Sequence, residues 1–178
     1  MKQKNLFQLL KFSTAAIVLS MTSFVANAQQ QYLTDGTICL ATNIYWEARN
    51  QSFAGQIAVG LVTLNRVVDD RFPDTICEVV YQAKTRKSWA QPWIDIPIRD
   101  RCQFSWYCDG KSDDIPPYDY EAIHNAFSVA QILLDERITV VDITKGATHY
   151  HANYVNPDWA ETKEKTVEID DHIFYKWD

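Results

Sequence analysis

"GTICLATNIYWEARNQSFAGQIAVGLVTLNRV", residues 36–67, is the stretch of the chain that decides the fold. Apolar side chains recur at helical spacing in two segments, 36–49 and 52–70, the second of which continues past the quoted stretch. This spacing predicts two consecutive amphipathic helices. Asp35 or Thr34 is the expected N-cap of the first, and Asn50, which tolerates the left-handed conformation, is the expected break between them.

Glu47 is the candidate catalytic residue of the first helix. On a helical wheel it lies at the edge of the apolar arc, beside Leu40 and Ile44. A carboxyl group in such surroundings loses solvation of its charged form, so its pKa rises toward neutrality. Glycoside cleavage requires an acid of this kind to protonate the leaving oxygen. The competing interpretation, which spacing alone favours, is a solvated surface glutamate.

The N-terminal residues 1–28 have the form of a secretory signal peptide. Three lysines precede an apolar run over 12–25, and "ANA" at 26–28 is a small-residue cleavage site. An uncleaved anchor is the alternative, although the run is short for a membrane span. We therefore expect an exported protein, periplasmic or secreted, with one domain over 29–178 and no membrane span after cleavage.

Charge and cysteine content narrow the function classes. Removing the predicted signal peptide leaves 14 basic and 23 acidic side chains, a net charge of −9. With no basic stripe to neutralise phosphates, a nucleic-acid partner is not expected.

In an oxidising compartment the four cysteines favour disulfides, and of three possible connectivities we favour Cys39–Cys77 with Cys102–Cys108.

The rest of the chain predicts a mainly helical α+β domain. A turn over 72–77 leads into a short helix ending at Val80, residues 83–117 are expected to be irregular, and 119–135 form a third amphipathic helix. The β-branched segment 137–144 is expected to be a strand or extended, and 147–155 alternates weakly. The small β portion is therefore expected near the C-terminus.

Several polar residues are candidate site residues with a structural alternative. Asn65 lies on the apolar stripe of the second helix, so it either braces the loop after the first helix or reaches the cleft. The loop 102–110, "CQFSWYCDG", presents Gln103, Ser105 and Trp106 for substrate contact. The alternative is a loop that is closed by a disulfide and has a structural role alone. Ser105 lacks the G-x-S-x-G context of a nucleophile.

His149 and His151 face the same way in an extended segment and could be two ligands of a zinc site. His124, His172 or an acid would have to be the third ligand, with Glu47 acting as base on metal-bound water. Alternatively, one histidine is hydrogen-bonded in the structure and the other lines a pocket. We favour this alternative and expect no metal and no cofactor, because neither C-x-x-C nor H-E-x-x-H spacing is present.

Four stretches together resemble the cell-wall hydrolases of the SleB/CwlJ type, which include spore cortex-lytic enzymes. They are "IYWEARNQSFAGQIAVGLVTLNRV", "FPDTICEVVYQ", "CQFSWYCDGKSD" and "GATHYHANYVNPDWA…HIFY", in that order over residues 38–175. The resemblance implies a single lysozyme-like, lytic transglycosylase-like domain. It also implies that the partner is the glycan strand of peptidoglycan; it identifies no regulatory protein.

The resemblance also assigns a role to Glu47, which matches the glutamate that opens the family's E-A-R-G-E motif. As the single acid/base it would protonate the oxygen between N-acetylmuramic acid and N-acetylglucosamine, then take the proton of the muramic 6-hydroxyl. The product is a 1,6-anhydro end, unless water is the acceptor, as in a muramidase. The candidate substrate-binding residues are Asn65, Gln103, Ser105, Trp106, His149 and Tyr150.

This chain departs from the family pattern at two motif positions and in one insert. Asn50 stands for the glycine, and Gln51 for the second glutamate, so position 51 offers no second carboxylate. The segment 84–101 matches nothing in the family and could form a wall of the cleft. Two other functions stay open: a zinc-dependent amidase or peptidase on the stem peptide, and a non-catalytic glycan-binding module.

Overall fold

The computed structural model describes residues 35–177, of which Gly36 onward form one compact unit. The predicted signal peptide and Thr34 lie outside the described residues. Four α-helices, α1 to α4, cover residues 35–48, Phe53–Val67, Ile76–Val80 and Tyr120–Leu134. All four were predicted, the three long ones from the periodicity of apolar side chains and α3 as a short helix that follows a turn, with boundaries that differ by three residues or fewer.

Helix α1 is the centre of the core. Leu40, Ile44 and Tyr45 in it are fully buried. One side packs against Ala126, Val129 and Ala130 of α4, and Cys39 on another side joins a second apolar cluster with α3. A helix enclosed on several sides is held by burial rather than by propensity.

Helix α2 joins the helical layer to a sheet. A β-carbon on its Gly60 would overlap Leu133 Cδ1, so glycine permits the close approach of α2 to α4. Ala58 and Val62 of α2 pack against Phe174 of the sheet. The α2 helix therefore packs against α4 on one side and against the sheet on the other.

The sheet that contacts α2 has three antiparallel strands, ordered β3-β5-β4. These are His149–Ala152, His172–Lys176 and Glu164–Ile169 in that spatial order. In the central pairing, Tyr150 lies opposite Phe174 and Ala152 opposite His172. The mainly helical α+β class predicted from sequence is confirmed.

One sequence prediction about the loops is wrong, and in a second segment only the strand alternative is excluded. Residues predicted to be irregular form a hairpin of two antiparallel strands, β1 (Ala83–Lys87) and β2 (Asp95–Cys102). The segment 137–144 contains no strand; turns and irregular backbone occupy it. Here the Asp142 carboxylate accepts hydrogen bonds from the backbone N–H groups of Thr144 and Gly146, and this local bonding overrides β propensity.

Both favoured disulfides are present in the structure. Cys39–Cys77 links α1 to α3, and Cys102–Cys108 joins the end of β2 to a 3₁₀ turn over Ser105–Cys108. Within the described part of the chain, no helix has both the length and the hydropathy that a bilayer span requires.

Candidate active site

A cleft of about 720 Å³ opens beside the last turn of α1. Its walls come from α1, from the 3₁₀ turn that follows the Cys102 disulfide, from the loop after that turn, and from β3 and β5. The residues that line it include Trp46, Glu47, Ser105, Trp106, Asp109, Asp113, Asp114 and His172. The cleft therefore forms where the helical layer meets the sheet.

Glu47 is half-buried in the wall of this cleft. Burial raises the pKa of its carboxyl group above the ordinary value. Two neighbours oppose that rise: the hydrogen bond from Tyr150 and the positive charge of Arg66. The net direction remains upward, so Glu47 holds its proton to higher pH than a solvated glutamate does.

Tyr150 is the direct partner of Glu47. Its hydroxyl donates a hydrogen bond to Glu47 Oε2 across 3.0 Å. Burial, followed by the neighbouring Glu47, raises the pKa of the Tyr150 phenol well above 10, which keeps it a neutral donor. The bond fixes one carboxylate oxygen and leaves Oε1 without a hydrogen bond from the described residues.

Arg66 is the buried cation of the site. Its Nε donates to the Thr148 carbonyl at 2.7 Å, and its guanidinium lies over the rings of Phe72 and Phe104. Burial lowers its pKa to about 10, which still leaves it charged at neutral pH. Among residues 35–177 its Nη1 has no hydrogen-bond partner. A buried cation near Glu47 favours the carboxylate form of that side chain.

Two stacked tryptophans form the aromatic wall. The rings of Trp46 and Trp106 are 6.2 Å apart at an interplanar angle of 19°. Trp106 Nε1 donates to Asn43 Oδ1 at 2.9 Å, and Asn43 Nδ2 donates to Thr63 Oγ1 at 3.2 Å. This chain of hydrogen bonds anchors the wall to α1 and α2, because a fully buried amide such as Asn43 must be satisfied.

His172 is a further lining residue. Burial lowers the pKa of its imidazole, so the ring is neutral at neutral pH. Its Nδ1 is buried and has no hydrogen-bond partner in the described region. Its ring contacts Tyr150 edge-on, with centroids 5.0 Å apart.

The predicted site residues separate into two groups. Glu47, Ser105 and Trp106 line the cleft, and Tyr150 lies directly behind Glu47. The other three do not line it within the described residues. Gln103 is exposed, with its backbone N–H bound to the Gln82 carbonyl.

Asn65 lies in a structural network. Its Nδ2 donates to Asp142 Oδ2, Thr144 Oγ1 and the Ala147 carbonyl at 3.0 to 3.2 Å. It therefore braces the 142–147 loop, which leads into β3, rather than the loop after α1.

The two histidines proposed as zinc ligands have other partners. His149 Nδ1 contacts Thr148 Oγ1, and its ring packs against Trp159 and Trp177. His151 contacts the Ala152 carbonyl through Nδ1 and the Tyr175 hydroxyl through Nε2. No group of three or more His, Cys, Asp or Glu side chains in the described ranges has the arrangement of a metal site.

Sequence reasoning missed Arg66 and Asn43 as site components, and named His172 only as a possible third zinc ligand. A signal for Arg66 was present, because it follows Val59 by seven residues and Val62 by four, which is the spacing of the buried stripe. A charged residue on a buried stripe requires a partner. The place of His172 in the cleft carried no comparable signal, since it depends on pairing with Ala152, twenty residues away in the chain.

Gln51 has a structural role where the family has a glutamate. Its Nε2 donates to the Asp171 carboxylate and its Oε1 accepts from the Asp171 backbone N–H, both at 3.2 Å. A carboxylate could accept but could not donate, so the amide suits this pairing.

Comparison with solved structures supports the fold. The crystal structure of the catalytic domain of the Bacillus cereus SleB protein is 25% identical, with a TM-score of 0.50, over 80% of this chain and 91% of that one. The catalytic domain of the germination-specific lytic transglycosylase SleB from Bacillus anthracis is 23% identical, with a TM-score of 0.57, over 79% and 93%. The second likeness concerns the fold alone.

Curated sequence relatives include spore cortex-lytic enzymes. A spore cortex-lytic enzyme of Oceanobacillus iheyensis is 34% identical over 71 residues, and one of Bacillus cereus is 33% identical over 58 residues. These matches cover 39% and 33% of this chain and span about a quarter of the relatives' own length, 26% and 22%.

The family model described as Cell Wall Hydrolase matches residues 50–175, which is more than half of the chain. The matched range begins three residues after Glu47, so the case for that residue depends on the geometry of the cleft. The match confirms the resemblance noted from the sequence: this chain belongs to the cell wall hydrolase family.

Proposed function

We propose that this protein is an exported enzyme that cleaves the glycan strand of peptidoglycan, with Glu47 as its single acid/base and a lytic transglycosylase reaction as its chemistry. The observation that carries the proposal is the environment of Glu47: a half-buried carboxyl group with a raised pKa in the wall of an aromatic-lined cleft. Membership of the cell wall hydrolase family supports the substrate class.

The reaction has two proton transfers through one carboxyl group. Protonated Glu47 gives its proton to the oxygen that links muramic C1 to the next sugar, and the C1–O bond breaks. The resulting carboxylate takes the proton of the muramic 6-hydroxyl, whose oxygen closes on C1. One bond breaks, one forms, no water is consumed, and Glu47 ends protonated again.

The neighbours of Glu47 match these two requirements. Burial favours the protonated form at the first step. Tyr150 and Arg66 favour the carboxylate that exists between the steps. The partly exposed Trp46, stacked on the buried Trp106, offers an apolar ring face against which a sugar ring can stack. The uncharged imidazole of His172 also lines the cleft.

A water-using muramidase is the second candidate. Asp109, Asp113 and Asp114 also line the cleft, so a second carboxylate is available there even though position 51 is glutamine. Burial and the charges of Asp109 and Asp114 raise the pKa of Asp113, which suits a general base. This route ends in a reducing sugar rather than an anhydro ring.

The zinc amidase and the glycan-binding module have less support. Both ring nitrogens of His151 are already in hydrogen-bond contacts, and His149 packs among tryptophans outside the cleft. A module that only binds glycan has no need for an acid of raised pKa in its cleft.

Mass spectrometry of digested sacculi tests the proposal against all three alternatives. We expect 1,6-anhydro-muropeptides, in amounts that EDTA does not reduce. Reducing-end muropeptides would indicate the muramidase. Free stem peptides whose release stops with EDTA and resumes with zinc would indicate the amidase, and the absence of any product would indicate the binding module.

A further inference from the structure

The hairpin of β1 and β2 carries an exposed apolar tip. Trp89 and Trp93 are 93% and 76% exposed, and Ile94 beside them is 41% exposed. From residue 84 to 95 every side chain except Ser88 is exposed, so this arm makes few contacts with the body of the protein. Large apolar side chains that contribute nothing to the core indicate an interaction surface.

The arm is basic on an acidic protein. Residues 83–102 hold five basic and two acidic side chains, a net charge of +3, whereas residues 29–178 as a whole have −9. Lys84, Arg86 and Arg101 are exposed and form no ion pair within residues 35–177. Lys87 pairs only with Asp95, at 3.0 Å across the hairpin. The surface beneath the tip therefore suits an anionic partner.

The base of the arm is fixed to the cleft. The Cys102–Cys108 disulfide closes it, and the Gln103 N–H donates to the Gln82 carbonyl at 2.9 Å. Five residues of β1, at about 3.3 Å each, carry the tip roughly 16 Å from this base. Ser105 and Trp106, which line the cleft, follow the hairpin closely in the chain. A surface that binds the tip would therefore also position the cleft.

We propose that this hairpin docks the protein on the surface of an anionic phospholipid membrane. Tryptophan is the side chain most suited to the membrane interface, and an aliphatic neighbour such as Ile94 adds apolar area. Lysine and arginine beside the tip are drawn to anionic headgroups. An exposed tip of two tryptophans and an isoleucine, flanked by basic side chains, fits a lipid surface better than it fits a sugar chain, which needs a groove with polar partners. The inference is independent of the proposed reaction.

Vesicle co-sedimentation tests this docking. The full-length gene is expressed with export, and wild type and variants are purified identically, so their N-terminal state is common to all. We expect wild type to bind vesicles of phosphatidylethanolamine and phosphatidylglycerol in a 3:1 ratio at least tenfold more tightly than phosphatidylcholine vesicles. Its tryptophan emission should shift to the blue on binding.

Variants assign the binding to the arm. The pair Trp89→Ser and Trp93→Ser should weaken vesicle binding at least tenfold and remove the emission shift. The pair Lys84→Gln and Arg86→Gln should remove the preference for anionic lipid. The control is Tyr118→Ser with Tyr120→Ser, which removes two rings that are 86% and 72% exposed elsewhere, and it should bind like wild type. Circular dichroism and the melting temperature verify folding, since all of these side chains are exposed.

Two results would overturn the inference. One is a wild type that does not sediment with anionic vesicles, or tip variants that sediment as well as wild type. The other is a tip variant that loses retention on lipid-free sacculi while its vesicle binding is unchanged; this would make the tip a glycan contact. Neither result bears on the products of the digestion, so the proposed function is tested separately.

Discussion

The hydroxyl of Tyr150 donates a hydrogen bond to Glu47 Oε2 across 3.0 Å and so joins β3 to the last turn of α1. The two residues are 103 positions apart in the chain. The contact connects the helical layer to the three-stranded sheet at the carboxyl group of Glu47. Its strength therefore influences both the orientation of the carboxyl group and the pH at which it titrates.

Tyr150→Phe should change the pH dependence of activity. The lost hydrogen bond lowers the pKa of Glu47 in the wild type, so without it that pKa rises further and the acid remains protonated to higher pH. The alkaline limb of the kcat/KM profile should therefore shift to higher pH. At the optimum, kcat/KM should fall about tenfold, the factor equivalent to one hydrogen bond of about 1.4 kcal/mol.

The control for this change is Tyr175→Phe. The Tyr175 hydroxyl contacts His151 Nε2 rather than Glu47. Digestion rates from pH 4 to 9 should show an unmoved profile for the control. A Tyr150→Phe profile that also keeps its alkaline limb would mean that Tyr150 does not act through the titration of Glu47.

Asn65→Ala should destabilise the fold and leave substrate affinity unchanged. Its amide nitrogen holds the 142–147 loop through three acceptors, and loss of these part-buried hydrogen bonds costs roughly 1–3 kcal/mol. Urea unfolding measures the loss. A variant of wild-type stability with a raised KM would instead support the substrate contact predicted from the sequence.

His149→Phe should reduce the acid sensitivity of the fold. Burial lowers the pKa of His149 from an unfolded value of 6.5 to about 4, so the unfolded chain binds a proton that the folded protein does not. This contribution to stability is present above pH 6.5 and is lost as the pH falls through 4. The phenyl ring fits the aromatic surroundings and does not titrate.

The measurement is the free energy of unfolding at pH 7 and at pH 4.5, in wild type and variant. The decrease on acidification should be smaller in the variant. An equal decrease in both proteins would show that His149 titrates normally in the fold.

The two disulfides should differ in their contribution to stability. Chain entropy predicts about 4 kcal/mol for closing the 38-residue separation of Cys39–Cys77 and about 2 kcal/mol for the six-residue separation of Cys102–Cys108. Urea unfolding of the paired Cys→Ala variants measures both. Removing Cys102–Cys108 should cost relatively more activity, because this disulfide supports Ser105 and Trp106. The reverse order of stabilities would contradict the entropic account.

The three long helices were predictable because their buried side chains recur with the helical period. A buried face leaves an apolar period in the sequence, as in α1, and the same wheel located Glu47 at the edge between core and cleft. The hairpin left no such period. Residues 84–87 are Lys-Thr-Arg-Lys and are exposed on both faces, so nothing in their alternation indicates a strand.

The partners of Glu47 were harder to predict because they come from other elements. Tyr150 and Arg66 approach it only after β3 pairs with β5 and α2 packs on the sheet. Local pattern identifies a buried polar residue, but which group it contacts is decided by tertiary packing. This is why Asn65 was recognised as a bracing residue while the loop it braces was not.

The most direct test of the central claim is the digestion of purified sacculi by Glu47→Gln. Glutamine fills the same volume but delivers no proton, so the variant should fold with an unchanged melting temperature and release less than a few per cent of the wild-type anhydro-muropeptides. Glu121→Gln, the same substitution at an exposed position on α4, should digest at the wild-type rate. A folded Glu47→Gln protein that releases anhydro-muropeptides at a rate comparable with the wild type would contradict the assignment of Glu47 as the acid.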